Sequence, residues 1–175
     1  YEIPEGDKNF KGRAIQNMLN IEPDDSVNAM LRLRGLNDEE FVNSHYVVFA
    51  TKNGTIKKTC LEAYSRPRTN GVNAINIVEG DEVVDVRLTN GKNEIILANR
   101  NGRAVRFDEN TVRAMGRVST GVRGMQLDGD DDQVVGMIIV NDAETETVMV
   151  VSENGYGKRS QVEDYRKTNR GGKYI

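Results

Sequence analysis

Three stretches of the chain align without gaps on the dipeptide Asn-Gly: Val47-Val48-Phe49-Ala50-Thr51-Lys52-Asn53-Gly54, Ile95-Ile96-Leu97-Ala98-Asn99-Arg100-Asn101-Gly102 and Val148-Met149-Val150-Val151-Ser152-Glu153-Asn154-Gly155. Each stretch is an apolar run, followed by two mostly polar residues and then by Asn-Gly. Asn and Gly tolerate positive φ, which a tight type I′ hairpin turn requires, so each stretch predicts a β-hairpin. The second strand of each hairpin carries a cation five positions after the asparagine: Lys58, Arg106 and Arg159.

A glycine landmark alternates with the predicted hairpins. Gly12, Gly71, Gly121 and Gly171 recur at intervals of 59, 50 and 50 residues. Three of them open short strands with period-two alternation, and acidic turns and another β-branched run follow. A repeat of about fifty residues with about four short strands is typical of a propeller-like blade. The sequence therefore predicts an all-β fold.

The repeats suggest an organisation of the chain. We expect the end of one blade at 1–44, central repeats at about 45–94 and 95–147, and a further repeat from about 148 that is truncated at 175. The chain begins with Tyr1, not with methionine, so we interpret it as a piece of a longer protein. Unpaired strand edges readily pair with another chain, so we expect disordered terminal segments or self-association through unpaired strands.

Three short segments interrupt the strand pattern. The segments near Asp108–Met115 and Gln161–Tyr165 are each expected to form a helical turn. The third, Asp38-Glu39-Glu40, lies in a polar insertion between Arg34 and Ser44, which we interpret as a loop.

The composition excludes several classes of protein. The single cysteine, Cys60, rules out an internal disulfide. The single histidine, His45, argues strongly against a histidine metal cluster or a Ser/His/Asp triad. No apolar run approaches the roughly 20 residues of a membrane helix, and we expect no signal peptide. A lone thiol is typical of a reducing cytoplasm. We find no catalytic constellation and predict no metal and no cofactor.

The charges are segregated along the chain although their sum is only −3. Windows 51–68, 100–123 and 153–173 together hold 17 Lys/Arg and 6 Asp/Glu, whereas the remainder is strongly acidic. A net charge near zero does not exclude a strong local positive field. The alternative is that these cations are solvated turn residues, balanced by acidic turns such as Asp128–Asp132.

Evenly spaced cations suit the regularly charged backbone of a nucleic acid. Stacking aromatics are not interleaved with them, which favours duplex DNA bound by shape and charge over RNA or single strands. We therefore predict contacts to the phosphate backbone from fifteen residues: Lys57, Lys58, Arg66, Arg68, Arg103, Arg106, Arg113, Arg117, Arg123, Lys158, Arg159, Arg166, Lys167, Arg170 and Lys173.

Several strings carry a resemblance to a known family. They are Asn53-Gly54-Thr55-Ile56-Lys57-Lys58-Thr59, Glu79-Gly80-Asp81-Glu82, Thr111-Val112-Arg113-Ala114-Met115-Gly116-Arg117, Thr120-Gly121-Val122-Arg123-Gly124 and Asn154-Gly155-Tyr156-Gly157-Lys158-Arg159. With them the chain resembles, over its whole length, the C-terminal domain of bacterial DNA gyrase A, a type IIA DNA topoisomerase.

This resemblance implies a partial β-pinwheel, a propeller-like fold whose neighbouring blades exchange strands. It implies a non-catalytic segment that wraps duplex DNA and supports ATP-dependent negative supercoiling by the parent. ATP and magnesium would bind in other domains, the partners would be the rest of gyrase A and gyrase B, and the location would be the bacterial cytoplasm. The family's glutamine–arginine–glycine-rich box is absent from this chain, and Arg170-Gly171-Gly172-Lys173 is only a faint echo of it.

Two alternatives stay open at this point. The related subunit of topoisomerase IV would share the fold and the chemistry of phosphate binding. A propeller-like scaffold would instead use the basic blocks to bind an acidic protein, and it would bind DNA negligibly.

Overall fold

The computed structural model describes residues 7–19, 21, 25–68 and 71–172. Within them lie nine β-strands, one short α-helix and four 3₁₀ helices. The α-helix α1 spans Glu39–Ser44, and the 3₁₀ helices span Ile15–Asn17, Leu61–Tyr64, Glu109–Thr111 and Val162–Asp164. The strands are β1 (Tyr46–Thr51), β2 (Thr55–Cys60), β3 (Val83–Thr89), β4 (Glu94–Asn99), β5 (Ala104–Asp108), β6 (Val122–Arg123), β7 (Val134–Val140), β8 (Thr147–Val151) and β9 (Gly157–Gln161).

The described strands form three antiparallel sheets, so the all-β prediction is confirmed. The first sheet has the order β3-β1-β2-β6, the second has the order β5-β4-β7, and the third pairs β8 with β9. Strand β6 follows the hairpin of the second sheet in the chain but pairs with β2 of the first sheet. Neighbouring repeats therefore exchange a strand, as the pinwheel resemblance implies.

All three predicted hairpins are present, but their turn type differs from the prediction. Gly54, Gly102 and Gly155 have φ between +77° and +85°, whereas no other residue type in the described part of the chain has positive φ. A type I′ turn needs positive φ at both central positions, so that expectation is wrong. The amide of Gly54 donates to Thr51 over 3.1 Å, which closes a type I turn with the glycine as a bulge.

A side-chain oxygen caps each of these turns at the same repeat position. The hydroxyl of Thr51 accepts from the amide of Thr55 over 3.1 Å, and the carbonyl of the Asn99 side chain accepts from Arg103 over 2.7 Å. The hydroxyl of Ser152 does the same for the amide of Tyr156 over 3.2 Å. Thr, Asn and Ser each supply an acceptor oxygen at this position, which explains why the repeats can carry different residues here.

The polar insertion before the first hairpin contains helix α1, so its interpretation as a loop is wrong. Asp38 is its N-cap, and its carboxylate accepts from the amide of Phe41 over 3.2 Å. Glu39 and Glu40 then occupy the first turn, where the helix dipole favours negative charge. By contrast, the 3₁₀ helices at Glu109–Thr111 and Val162–Asp164 confirm the two predicted helical turns.

The largest core cluster lies between the first and second sheets. It includes Val48 and Ile56 from the first sheet and Leu97 and Phe107 from the second, all essentially inaccessible to solvent. A smaller cluster joins the second sheet to the third through Ile96, Val148 and other residues. Successive sheets are thus held together by apolar side chains, which is the main stabilising contribution in such a stack.

Gly54 lies where a neighbouring repeat comes close. It has φ +85°, and a Cβ atom at this position would lie 2.7 Å from the carbonyl oxygen of Met125. The amides of Gly124 and Met125 donate to the carbonyl of Gly54. The glycine therefore allows both the turn and the close contact with the exchanged strand segment.

Candidate nucleic-acid interface

Three of the predicted phosphate contacts are buried. Lys57, Lys58 and Arg106 have relative exposures of 0%, 3% and 8%. The prediction that these three cations contact a phosphate backbone is therefore wrong. The reason is that β2 and β5 are covered on both faces. Side chains in the centres of these strands are therefore buried whichever face they point to.

The ammonium of Lys57 lies in a cage of oxygens and aromatic rings. It donates to the carbonyls of Ala74 and Arg117 and, over 3.2 Å, to the hydroxyl of Tyr64. Its nitrogen is 5.0 Å from the ring centroid of Phe49. Burial, and secondarily the charge of Arg117, lower the pKa of Lys57 from 10.5 to about 8. This cation is thus committed to internal contacts.

Lys58 forms a buried ion pair with the next repeat. Its ammonium lies 2.8 Å from the carboxylate of Glu109, and the exposed fractions of the two side chains are 4% and 0%. The same carboxylate accepts from the hydroxyl of Thr89 and from the amide of Asn93, each over 2.8 Å. The carboxylate of Glu109 is therefore satisfied by groups from both sides of the junction between the first and second sheets.

Arg106 occupies the equivalent position one repeat later. It pairs with Glu94 over 2.5 Å and donates to the carbonyls of Val162 and Tyr165, each over 3.0 Å. Burial is the largest single influence on the pKa of Glu94 and raises it. The hydrogen bonds from Arg106 and Lys167 together outweigh burial, so the pKa of Glu94 is lowered. Arg106 thus joins the second sheet to the third.

A second group of predicted cations reaches the surface but has protein partners. Arg103 pairs with Asp128 over 2.5 Å, and Lys167 lies 2.9 Å from Glu94 and 3.3 Å from Asp108. Hydrogen bonds to Glu94 and to Asp108 raise the pKa of Lys167. Two half-buried arginines bind main-chain carbonyls of the preceding repeat: Arg117, which donates to Asn73, and Arg170, which donates to Thr111 and Arg123.

The third group consists of exposed cations that face solvent. Within the residues that the structure describes, no hydrogen bond or ion pair engages the side chains of Arg66, Arg68, Arg113, Arg123, Lys158, Arg159 and Arg166. Arg113 and Arg166 stand at one repeat position, the second residue after a 3₁₀ helix, and Arg66 stands one residue beyond the equivalent Ser65. We call Arg66, Arg113 and Arg166 the post-helix arginines. The remaining predicted residue, Lys173, lies outside the described part of the chain.

Sequence reasoning missed two buried carboxylates. Glu109 replaces the apolar Leu61 and Val162 of the neighbouring repeats, yet all three are at most 1% exposed. An acidic residue at a repeat position that is otherwise apolar is a signal for a buried ion pair. Asp132, which the sequence places in a solvated acidic turn, is 5% exposed and accepts from the side chain of Asn99 over 2.6 Å.

The described residues give no support for other kinds of site. They contain no group of three His, Cys, Asp or Glu side chains that could hold a metal ion. Among the helices in this part of the chain, none has the length and apolar character needed to span a bilayer.

Comparison with known proteins agrees with the repeat architecture. The family of the DNA gyrase C-terminal domain, described as a β-propeller, matches residues 45–90, 93–141 and 146–173. DNA gyrase A of Staphylococcus epidermidis is 42% identical over 175 residues, and that of Staphylococcus aureus is 41% identical over the same length. Both alignments cover 100% of this chain but only 19% of the relative, so the chain spans about a fifth of the length of these proteins.

Solved structures show the same fold. The C-terminal domain of DNA topoisomerase IV superimposes with a TM-score of 0.82 at 31% identity and covers 94% of this chain and 49% of its own. The DNA gyrase A C-terminal domain superimposes with a TM-score of 0.78 at 25% identity and covers 93% of this chain and 51% of its own. Since the family model matches most of the chain in three successive segments, this chain belongs to the family of DNA gyrase C-terminal domains.

Proposed function

We propose that this chain is a non-catalytic segment of DNA gyrase A that binds and wraps duplex DNA. The observation that carries the proposal is the recurrence of the post-helix arginines in three successive repeats. Each of them is exposed and free of protein partners in the described residues. A row of such cations can neutralise successive phosphates without reading bases.

The free-energy cost of bending DNA determines how far this chain alone can wrap a duplex. A smooth bend of a short duplex costs on the order of 1–6 kcal/mol, which a few phosphate contacts can offset only in part. More contacts on further repeats of the parent would complete the bend. We therefore expect weak, salt-sensitive and sequence-independent binding by this chain, and stable wrapping by the parent.

In the parent enzyme, wrapping would support ATP-dependent negative supercoiling. The partners would then be duplex DNA, the rest of gyrase A and gyrase B, in the bacterial cytoplasm. ATP and magnesium would act in other domains, and this segment would need no cofactor of its own.

A second partner is another copy of this chain. The third sheet exposes Met149, Val150 and Val151 to 59%, 54% and 62% on strand β8, whereas the equivalent Ile96 and Leu97 in the second sheet are buried. Exposed apolar strands favour pairing with another sheet. Self-association through β8 and β9 is therefore part of the proposal.

The corresponding subunit of topoisomerase IV is the second candidate, because the C-terminal domain of that enzyme superimposes with a TM-score of 0.82. The alignment over the whole chain at 42% identity favours gyrase. Both candidates predict phosphate binding, but only gyrase couples a stable wrap of fixed sign to negative supercoiling.

The test is a topological wrapping assay with the full-length parent. The protein is bound to a relaxed plasmid, and a type I topoisomerase then removes the unconstrained supercoils. The linking number is measured after the protein is removed. The wild type should shift the linking number in proportion to bound protein. Arg113→Glu should reduce the shift, whereas Lys92→Glu, an exposed cation outside the predicted set, should not. No shift with the wild-type parent would contradict the proposal.

A further inference from the structure

The cations at repeat position 58/106 make a second kind of contribution. Each is anchored on its own sheet by the residue at the start of the first hairpin strand. The ammonium of Lys58 lies 4.3 Å from the ring centroid of Tyr46, and Arg106 pairs with Glu94 at the equivalent position. Each cation then extends to the 3₁₀ helix of the following repeat, to Glu109 or to Val162.

The backbone links the same pairs of repeats at the same place. The carbonyl of Lys58 accepts from the amide of Met115 over 2.8 Å, and the carbonyl of Arg106 accepts from the amide of Thr168 over 2.8 Å. A parallel bridge accompanies each of them, to Ala114 and to Lys167. At two successive junctions, a buried cation that bonds to the next repeat thus occurs together with a backbone bridge. We call this cation, Lys58 or Arg106, with its partners in the next repeat the strut.

Packing of apolar side chains is non-directional and permits small rotations between sheets. A hydrogen-bonded charge fixes distance and orientation, because a buried charge that loses its partner is strongly penalised. The direction of one sheet relative to the next decides where consecutive post-helix arginines lie. The strut is therefore well placed to control the curvature of a bound duplex.

We propose that Lys58 and Arg106 are positioning residues that fix the orientation of successive sheets and, through it, the bend of the DNA. The second half of this statement rests on the proposed function, whereas the first half does not need DNA. Neither residue touches the duplex, since both are buried. Removal of the strut should therefore alter bending without removing a phosphate contact.

The first experiment measures the orientation of the sheets without DNA. Spin labels are placed at the equivalent exposed turn residues Asn53 and Asn101 in a Cys60→Ser background, and the distance distribution is recorded by pulsed electron paramagnetic resonance. The double variant Lys58→Met/Glu109→Gln removes both buried charges. We expect a broader and shifted distribution. The exposed pair of Lys52, just after β1, and Glu82, just before β3, provides the control, Lys52→Met/Glu82→Gln, which should leave the distribution unchanged.

A second variant keeps the test decisive if the first does not fold. Arg106→Lys retains the positive charge, but its single ammonium cannot reproduce the two guanidinium nitrogens, of which Nε pairs with Glu94 and Nη1 donates to both carbonyls. Labels at Asn101 and Asn154 should then report a broader distribution, while labels at Asn53 and Asn101 should not. An unchanged distribution in every folded strut variant would overturn the proposal.

The second experiment uses the full-length parent and a short duplex with fluorophores at its ends. The strut variants should bind with unchanged affinity and an unchanged salt slope, but with a smaller bend. An unchanged bend alongside an altered label distance would overturn the link to curvature. If the wild-type parent neither binds nor bends DNA, the proposed function fails, and the label distances still decide the role of the strut.

Discussion

The carboxylate of Glu109 lies 2.8 Å from the ammonium of Lys58, and the two side chains belong to neighbouring repeats. Glu109 stands where the adjacent repeats have Leu61 and Val162, so a buried charge replaces an aliphatic side chain in one repeat only. The positive partner comes from β2, where the sequence predicts phosphate contacts from Lys57 and Lys58. One pair thus explains both an unexpected buried acid and an unexpectedly buried base.

Removal of one partner of this pair should be costly. We expect Lys58→Met to lower the free energy of unfolding by about 3–5 kcal/mol, because the carboxylate of Glu109 stays buried without its counter-charge. The double variant Lys58→Met/Glu109→Gln should recover part of this loss, since glutamine carries no charge and its side-chain carbonyl can still accept from the buried donors of Thr89 or Asn93. Urea unfolding measures both values, and Lys52→Met provides the exposed control. Equal losses in the single and double variants would contradict the pairing.

Lys57 should impose a pH dependence on stability. Its pKa falls from 10.5 in the unfolded chain to about 8 in the fold, so between these values the unfolded state binds the extra proton. The free energy of unfolding should then rise with pH in this window, by up to about 1.4 kcal/mol per pH unit, and the penalty of burial is fully present below it. Lys57→Met should lack the rise.

The measurement compares urea unfolding of the wild type and Lys57→Met from pH 7.5 to about 9.5, below the range where tyrosines titrate freely. Lys92→Met is the matched control, because Lys92 is exposed. A difference between wild type and Lys57→Met that does not vary with pH would refute the prediction.

The hairpin glycines should differ in how they tolerate a methyl group. Gly54→Ala and Gly102→Ala both place alanine at positive φ, which costs on the order of 1–3 kcal/mol. Gly54→Ala also brings a Cβ to 2.7 Å from the carbonyl of Met125, whereas nothing lies within 4 Å at Gly102. Gly54→Ala should therefore be the more destabilising in thermal unfolding, and equal losses would argue against the close contact.

The exposed strands of the third sheet should drive self-association. Analytical ultracentrifugation of the wild-type chain should show a concentration-dependent dimer, because β8 exposes apolar side chains. Val150→Lys should weaken it, whereas Val135→Lys, a similarly exposed valine on β7, should not. A monomer at all concentrations would exclude this interface.

The part of the fold that could be predicted from sequence is the part determined locally. Asn53-Gly54 and its two equivalents mark a turn whatever surrounds them, and alternation marks the flanking strands. The burial of Lys57 and Lys58 could not be predicted, because it depends on residues distant in sequence: Ala74 and Arg117 bind Lys57, and Glu109 of the next repeat binds Lys58. Alternation shows that two faces exist, but not that both are covered. Helix α1 was missed although Asp38 is a recognisable N-cap followed by two glutamates.

The candidate site divides in the same way. Charge segregation identifies the basic blocks in the sequence, and within them Arg113 and Arg166 are exposed at one repeat position. Only the structure shows which cations in each block can reach DNA. Lys58 and Arg106 each stand five positions after the asparagine of their turn, and both bind the next repeat. Charge reversal at Lys57 and Lys58 would consequently test folding, not DNA contact.

The central claim is that the post-helix arginines contact phosphates, and the dependence of binding on salt tests it most directly. The slope of log K against log salt is measured for the full-length parent and for Arg66→Gln/Arg113→Gln/Arg166→Gln on two unrelated duplexes. Each lost phosphate contact removes about 0.9 from the magnitude of the slope, so the triple variant should lose roughly 2.7 on both duplexes. An unchanged slope on either duplex, with the fold intact by circular dichroism, would contradict the account.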